Sequence, residues 1–288
     1  MKVLLTGAGG QLGWELQRWA PPSVALTAVT RTDLDIGDAA QVMACVERYQ
    51  PDWIINAAAY TAVDKAEAEP ALAHRVNAAG AEHLAAAARA QDCRLLHIST
   101  DFVFDGAAGT PRQPDDPVNP LGVYGESKQQ GERAVQWLLG SQALIVRTAW
   151  VYSSHGDNFV KTMLRLMNER DSLGVVDDQL GTPTWAAELA KVLFRVIDNN
   201  LRGVWHWTDA GVASWYDFAV AIHQLGREQG LIGHDCHIRP IPTEAYPLPA
   251  PRPANAVLDK QGLRKAIGYD GLHWREGLKH MLEELSDV

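Results

Sequence analysis

Short runs of consecutive apolar residues alternate along this chain with longer stretches in which apolar and polar positions mix. Residues 2–6 form the first run, and Val24 to Val29, Trp53 to Asn56, Arg94 to Ile98 and Ala143 to Arg147 repeat it. Runs of this length, bounded by turn residues, read as strands buried on both faces. Between them lie helical patterns at Trp14 to Trp19, 38–48, an alanine-rich stretch from 62 to 90, and 120–138. Strand and helix alternating through about residue 150 predict an α/β fold, a Rossmann-type doubly wound parallel sheet with helices on both faces. Beyond 150 the pattern turns irregular. Pro240 to Pro253 carries six prolines and must be mostly extended or turning. Helix and strand return at Leu189 to Ile197 and Val204 to Trp207, and a helix from His273 to Leu285 closes the chain.

Composition narrows the picture without changing it. At 288 residues with 47% apolar and 21% charged positions, the chain suits one large domain or a domain plus a smaller lobe. A formal charge of −9 argues against a nucleic-acid partner, which needs clustered positive charge. Cys45, Cys93 and Cys236 are odd in number and widely spaced, as packing thiols in a reducing cytosol are. No apolar run approaches the ~20 residues of a membrane span. Met1-Lys2-Val3-Leu4-Leu5 leaves no room for a signal peptide ahead of the first strand, so a cytoplasmic protein is expected.

Candidate chemistry gathers at the strand ends. The first run is followed by Gly7-Ala8-Gly9-Gly10-Gln11-Leu12-Gly13, where glycines at 7, 10 and 13 allow a sharp turn, close approach of a ligand and tight helix packing. A helix starting there points its amides at an anion, which makes residues 1–150 a candidate dinucleotide-binding domain, rejoined by about 184–209. Residues 151–288 are then mainly a smaller C-terminal substrate-binding lobe. The second strand ends at Thr30-Arg31; an arginine there accommodates a 2′-phosphate and favours NADPH, with NADH open if Asp33 or Asp35 reaches the ribose instead. Asp35-Ile36 is placed to touch the adenine. The small residues of Asn56-Ala57-Ala58-Ala59-Tyr60-Thr61 let a flat cofactor lie close, and the fourth strand delivers Ser99-Thr100-Asp101 to the same edge.

Tyr124 and Lys128 stand four residues apart on a helix, hence on one face with Cβ atoms ~5–6 Å apart. An ammonium beside a phenol lowers the phenol's pKa while desolvation opposes it, and a net lowering is expected. Such a tyrosine passes protons to and from a carbonyl or alkoxide.

With the glycine loop, the Asn-Ala-Ala-Ala strand end, the Ser-Thr strand end and Tyr-x-x-x-Lys in that order, the chain resembles the extended short-chain dehydrogenase/reductase superfamily. Gly10-Gln11-Leu12-Gly13-Trp14, Ser99-Thr100-Asp101-Phe102-Val103-Phe104, Asn119-Pro120-Leu121-Gly122-Val123-Tyr124, Asp178-Gln179-Leu180-Gly181-Thr182-Pro183-Thr184 and Arg252-Pro253-Ala254-Asn255 resemble, within it, the dTDP-4-dehydrorhamnose reductase family. The resemblance implies hydride transfer from NAD(P)H to the 4-keto carbon of dTDP-4-dehydro-L-rhamnose, the last step to dTDP-L-rhamnose. It makes Tyr124 the proton donor, Lys128 the residue that orients the nicotinamide ribose and steadies the phenolate, and Thr100 the replacement for the superfamily's usual serine. It places the cofactor along Gly10 to Leu12, Thr30-Arg31, Asp35-Ile36 and Ala59, Tyr60 and Thr61. The dTDP-sugar would meet Thr100, Asp101, Trp150, Asn158, Phe159 and Arg252, with Asp178-Gln179 beside them. A Mg2+ ion at a subunit contact, with Glu15, Glu188 and Glu284 at the family's carboxylate positions, and a homodimer are further implications. Two other outcomes stay open here: a nucleotide-sugar 4-epimerase or dehydratase, and a non-catalytic dinucleotide-binding regulatory subunit of the kind that serves methionine adenosyltransferase.

Overall fold

The computed structural model describes residues 1–286. Its centre is a six-stranded all-parallel sheet in the order β2-β1-β3-β4-β5-β10, made of β1 (Lys2–Thr6), β2 (Ala25–Val29), β3 (Trp53–Asn56), β4 (Arg94–Thr100), β5 (Leu144–Thr148) and β10 (Gly203–His206). Adjacent strand residues face opposite sides, so each apolar run feeds two cores. Val3, Leu5, Ile55, Leu96 and Val146 pack with Leu12 and Leu16 of α1 (Gln11–Arg18) and with Leu189, Leu193 and Phe194 of α8 (Ala186–Asp198). Leu4, Ile54, Leu95 and Ile145 pack on the other side against α2 (Ala39–Tyr49), α5 (Gly80–Ala90) and α6 (Val123–Leu139). The alanine-rich stretch is not one helix. It breaks at Glu69-Pro70 into α3 (Val63–Ala68) and α4 (Pro70–His74), and a π-helical turn at Arg75–Ala79 joins α4 to α5.

The sequence reading of the chain after 150 as irregular is corrected by two amphipathic helices. In α7 (Phe159–Glu169), Val160, Met163, Leu164 and Met167 are buried at helical spacing behind an Asn158 cap. In α9 (Trp215–Glu228), a Ser214–Asp217 capping box precedes the buried Phe218, Ala219, Ala221 and Ile222. With the parallel pair β7 (Ser172–Val176) and β12 (His237–Ile241), and with α11 (Trp274–Ser286), these helices enclose a second core. The short pairs β6 (Val151–Tyr152) with β9 (Thr184–Trp185), and β8 (Leu180–Gly181) with β11 (Ala213–Ser214), stitch this lobe to the sheet's carboxyl edge. The helix α10 (Gln261–Ile267) lies beside β10. Among the described residues no helix is long and apolar enough to cross a membrane.

Candidate active site

At the carboxyl edge of the sheet, the ends of β1, β3, β4 and β5 open onto one cavity of about 890 Å3, closed on its far side by α7, β7 and residues 246–256. Open α/β sheets bind their ligands at this edge.

The glycine loop supplies its first wall. Gly7 has φ +77°, and a side chain there would stand 2.5 Å from the Ala58 nitrogen. A Cβ on Gly13 would lie 2.1 Å from the Gly7 carbonyl oxygen. These two glycines therefore serve packing, whereas Gly10, Gln11 and Leu12 line the cavity. Gly10 caps α1 without a side-chain hydrogen bond, so among the described residues no side chain caps the amides of the first turn. Ala57, Ala58, Ala59 and Thr61 continue the wall, while Tyr60 turns aside, its hydroxyl donating to Glu69 at 2.6 Å. Thr30, Arg31, Asp35 and Ile36 lie outside this lining. Asp33 accepts from the Thr30 amide and hydroxyl, Asp35 pairs with Arg75, and Ile36 is buried against Gly80. Arg31 is exposed and makes no side-chain hydrogen bond or ion pair among the described residues.

The helix carrying Tyr124 and Lys128 is set by two notches. A Cβ on Gly125 would lie 2.2 Å from the Phe102 carbonyl oxygen, and one on Gly131 would lie 2.3 Å from that of Asn77. Asn77, in the π-helical turn, accepts from the Tyr60 amide and donates to the Tyr60 carbonyl and to Ser127 Oγ, tying the alanine wall to α6.

Thr100, Asp101, Tyr124 and Lys128 all line the cavity. Thr100 Oγ1 donates to Asp101 Oδ1 at 2.9 Å and accepts from the Phe102 amide, while Asp101 Oδ2 is buried without a partner. Burial lifts Asp101 to about 7. Lys128, pushed down by burial to about 8, donates from Nζ to the Ile98 carbonyl at 2.6 Å. The expected lowering of Tyr124 is corrected: burial drives the phenol up to about 12, the Thr100 hydroxyl counters only part of that, and Asp101 adds to it. Lys128 has turned its ammonium to the backbone of β4, and desolvation of the ring then prevails.

Trp150 and Phe159 were expected at the site, but no sequence pattern signalled Trp215 and Phe218, which join them in an aromatic floor. Trp150, at φ +48°, stacks on Trp215 with ring centroids 3.6 Å apart, and Phe159 leans on Trp215 at 4.7 Å and stacks on Phe218 at 5.5 Å. Gly181 makes room, since a Cβ there would stand 2.5 Å from the Trp150 ring. Two other expected residues reach the cavity with their polar atoms already engaged. Asn158 donates to Gln11 Oε1 and the Ser153 carbonyl and caps α7 through the Lys161 amide. Arg252 grips both oxygens of Asp64 at 2.6 Å. Gln179 lines the cavity, whereas Asp178 binds the Thr243 amide and hydroxyl.

The three glutamates do not come together as a metal site. Glu15 is buried under the Ser153 hydroxyl and Arg18, Glu284 takes Arg18 and Ser154, and Glu188 accepts from the Tyr269 hydroxyl. Among the described residues no group of three His, Cys, Asp or Glu side chains could hold a metal ion. Each carboxylate already has a fixed donor.

The family model for the RmlD substrate binding domain matches residues 1–287. The dTDP-4-dehydrorhamnose reductase of Escherichia coli (strain K12) is 42% identical over 99% of this chain and 98% of its own. A crystal structure of a dTDP-4-dehydrorhamnose reductase from Clostridium acetobutylicum superposes with a TM-score of 0.93 at 42% identity, covering 99% of both chains. One from Bacillus anthracis, in complex with NADP, gives 0.92 at 36%, covering 98% of this chain and 99% of that one. A match running through the glycine loop, the cavity and the second lobe alike leaves one assignment: the chain belongs to the dTDP-4-dehydrorhamnose reductase family.

Proposed function

We propose that this protein reduces the 4-keto group of dTDP-4-dehydro-L-rhamnose with NADPH, giving dTDP-L-rhamnose. The observation that carries the reading is the convergence of Thr100, Tyr124 and Lys128 on the cavity that the glycine loop opens. The chain's residues fit a dinucleotide. The uncovered first turn of α1 suits a diphosphate, the alanines at 57–59 suit a flat ring, and the unengaged Arg31 suits a 2′-phosphate. When bound, NADPH supplies the hydride.

The chain's own work is to receive the charge that develops on the keto oxygen and to deliver a proton to it. Tyr124, held as a neutral phenol by its surroundings, is a proton donor across the neutral range. Asp101, when protonated, can donate to Thr100 Oγ1 and release the threonine proton toward the same oxygen. Lys128 spends one of three ammonium hydrogens on Ile98 and keeps the others for ribose hydroxyls. The aromatic floor of Trp150, Trp215 and Phe159 offers an apolar face to a deoxysugar ring.

The test is reduced-nicotinamide absorbance during incubation with dTDP-4-dehydro-L-rhamnose. Stoichiometric NADPH consumption is expected, and product formed without it would overturn the reading in favour of a cofactor-recycling enzyme. Tyr124→Phe is expected to lose ~100 to 1000-fold in kcat while its KM for NADPH holds. A near-normal rate removes Tyr124 from the chemistry.

A further inference from the structure

We infer that Glu132, clamped by Arg147 one helical turn beyond Lys128, is a positioning residue that keeps the Lys128 ammonium charged in its buried seat. The inference rests on the reductase reading only in giving Lys128 a cofactor to hold.

Tyr124, Lys128 and Glu132 follow one another at intervals of four on α6 and so form one stripe. Lys128 is 2% exposed and Glu132 3%, which removes both from bulk water. Arg147 reaches from β5 with Nε 2.8 Å from Glu132 Oε1 and Nη2 2.7 Å from Oε2. Its remaining Nη1 donates to the Pro114 carbonyl at 3.0 Å and to His206 Nε2 at 3.3 Å. His206 must offer a lone pair there, so its Nδ1 carries the proton given to the Arg112 carbonyl, and burial with Arg147 holds the ring neutral, at about 3. The carboxylate is thus fixed by α6, β5, β10 and the loop at 114. A buried ion pair of this kind adds little net stability over an apolar pair of the same volume, so its placement asks for another role.

That role follows from what faces Lys128. On α6 these are Tyr124 and Glu132. From β4 comes His97, which burial and Lys128 itself keep uncharged, and the turn after β4 brings Asp101 to the same cavity. On the other elements packed against α6, Glu67 of α3 is turned to the Val123 amide, His74 of α4 to Gln130, Arg75 of the π-helical turn to Asp35, and His83 of α5 to the Ile36 carbonyl. Glu132 is the carboxylate that offsets the burial of the ammonium. Arg147 holds it in place and tempers its charge.

The experiment measures kcat/KM for NADPH against pH, which reports groups of the free enzyme. In the wild type the value falls as pH rises and Lys128 loses its proton. Glu132→Gln is expected to move that falling limb about one pH unit lower. Arg147→Met, which frees the carboxylate, is expected to move it higher. Loosened packing cannot produce shifts of opposite sign. An unmoved limb in Glu132→Gln, or both variants moving the same way, overturns the inference. Should Glu132→Gln fail to fold, the double variant Glu132→Gln/Arg147→Met, which removes the Glu132–Arg147 ion pair as a unit, carries the same downward expectation and the same overturning result. The limb is also read without substrate, from NADPH dissociation constants across pH by tryptophan quenching. Absent turnover in the wild type sinks the reductase reading, whereas an unmoved binding limb sinks this one.

Discussion

Asp101 illustrates how a residue's chemistry comes from where the fold puts it. Its side chain is 2% exposed, one oxygen is held by Thr100 and the other has no partner. An ordinary aspartate titrates near ~4, and burial raises this one to about 7. Between those values the folded chain keeps a proton that the unfolded chain has released. Asp101's contribution to stability therefore declines as pH rises through that window and stays low above it. Asp101→Asn keeps an acceptor for Thr100 and has no charge to bury. In thermal melts at about pH 8 it is expected to unfold above the wild type, by ~2–4 °C for each kcal/mol recovered, and to lose the advantage near pH 4. A variant that melts lower at both pH values would refute the account. The Thr100, Tyr124 and Lys128 positions were legible from spacing, because four residues on a helix and the end of a strand are local facts. The burial of Asp101 and the stacking of Trp150 on Trp215 were not, since each depends on segments that meet only in the folded chain.

Among the elements, α6 bears Tyr124 and Lys128, the side chains proposed to act in the reaction, and its seat is decided by glycine rather than by them. Gly125 rests on the Phe102 carbonyl, so Gly125→Ala must push the helix off the turn that holds Asp101. Overpacking of this kind costs about 1–3 kcal/mol. A shift of ~1 Å at a reacting group can cost ~100-fold in rate. Both losses are expected together, in urea unfolding and in kcat. Gly109→Ala, with open space around its Cβ, is the control and should change neither. Equal behaviour of the two variants would remove the notch from the argument. The strands β1, β3, β4 and β5 were readable because runs buried on both faces carry little but apolar residues, whereas β2, expected to be buried likewise, is an edge strand in which only Val29 is buried. The helices α7 and α9 were passed over although their caps, Asn158 and Ser214, stand in the sequence. Their polar faces dilute the apolar stripe, and the proline-rich segment that follows suggests irregularity for the whole region. The same segment forms the parallel strand β12 despite Pro240, because it pairs only with β7 and the sheet ends there.

At the scale of the molecule, the cavity exists because the second lobe is tied down over the sheet edge, and several of the ties are polar. Asn158 bonds Gln11, Ser153 bonds Glu15, and Arg252 grips Asp64 while also donating to the Ala250 carbonyl. The last clasp holds the strap of residues 246–253 against α3, at a wall where Tyr246, Leu248 and Pro253 also line the cavity. If Arg252 acts through this clasp, Arg252→Met and Asp64→Asn are equivalent lesions: each raises KM for the sugar nucleotide, spares KM for NADPH and exposes the strap to protease. Their double variant should then be no worse than either alone, with a coupling of ~1 kcal/mol in the cycle. Were Arg252 instead a direct ligand of the substrate's phosphates, Asp64→Asn would release a guanidinium for that purpose and lower KM. The clasp also carries a pH signature, since Arg252 holds Asp64 below the ordinary carboxylate range. Its contribution is present above the unfolded carboxylate's pKa and is lost as pH falls through the lowered folded value. Protease sensitivity of the strap in the wild type should therefore rise in acid toward that of Asp64→Asn, which has no carboxylate to protonate and should show no such change.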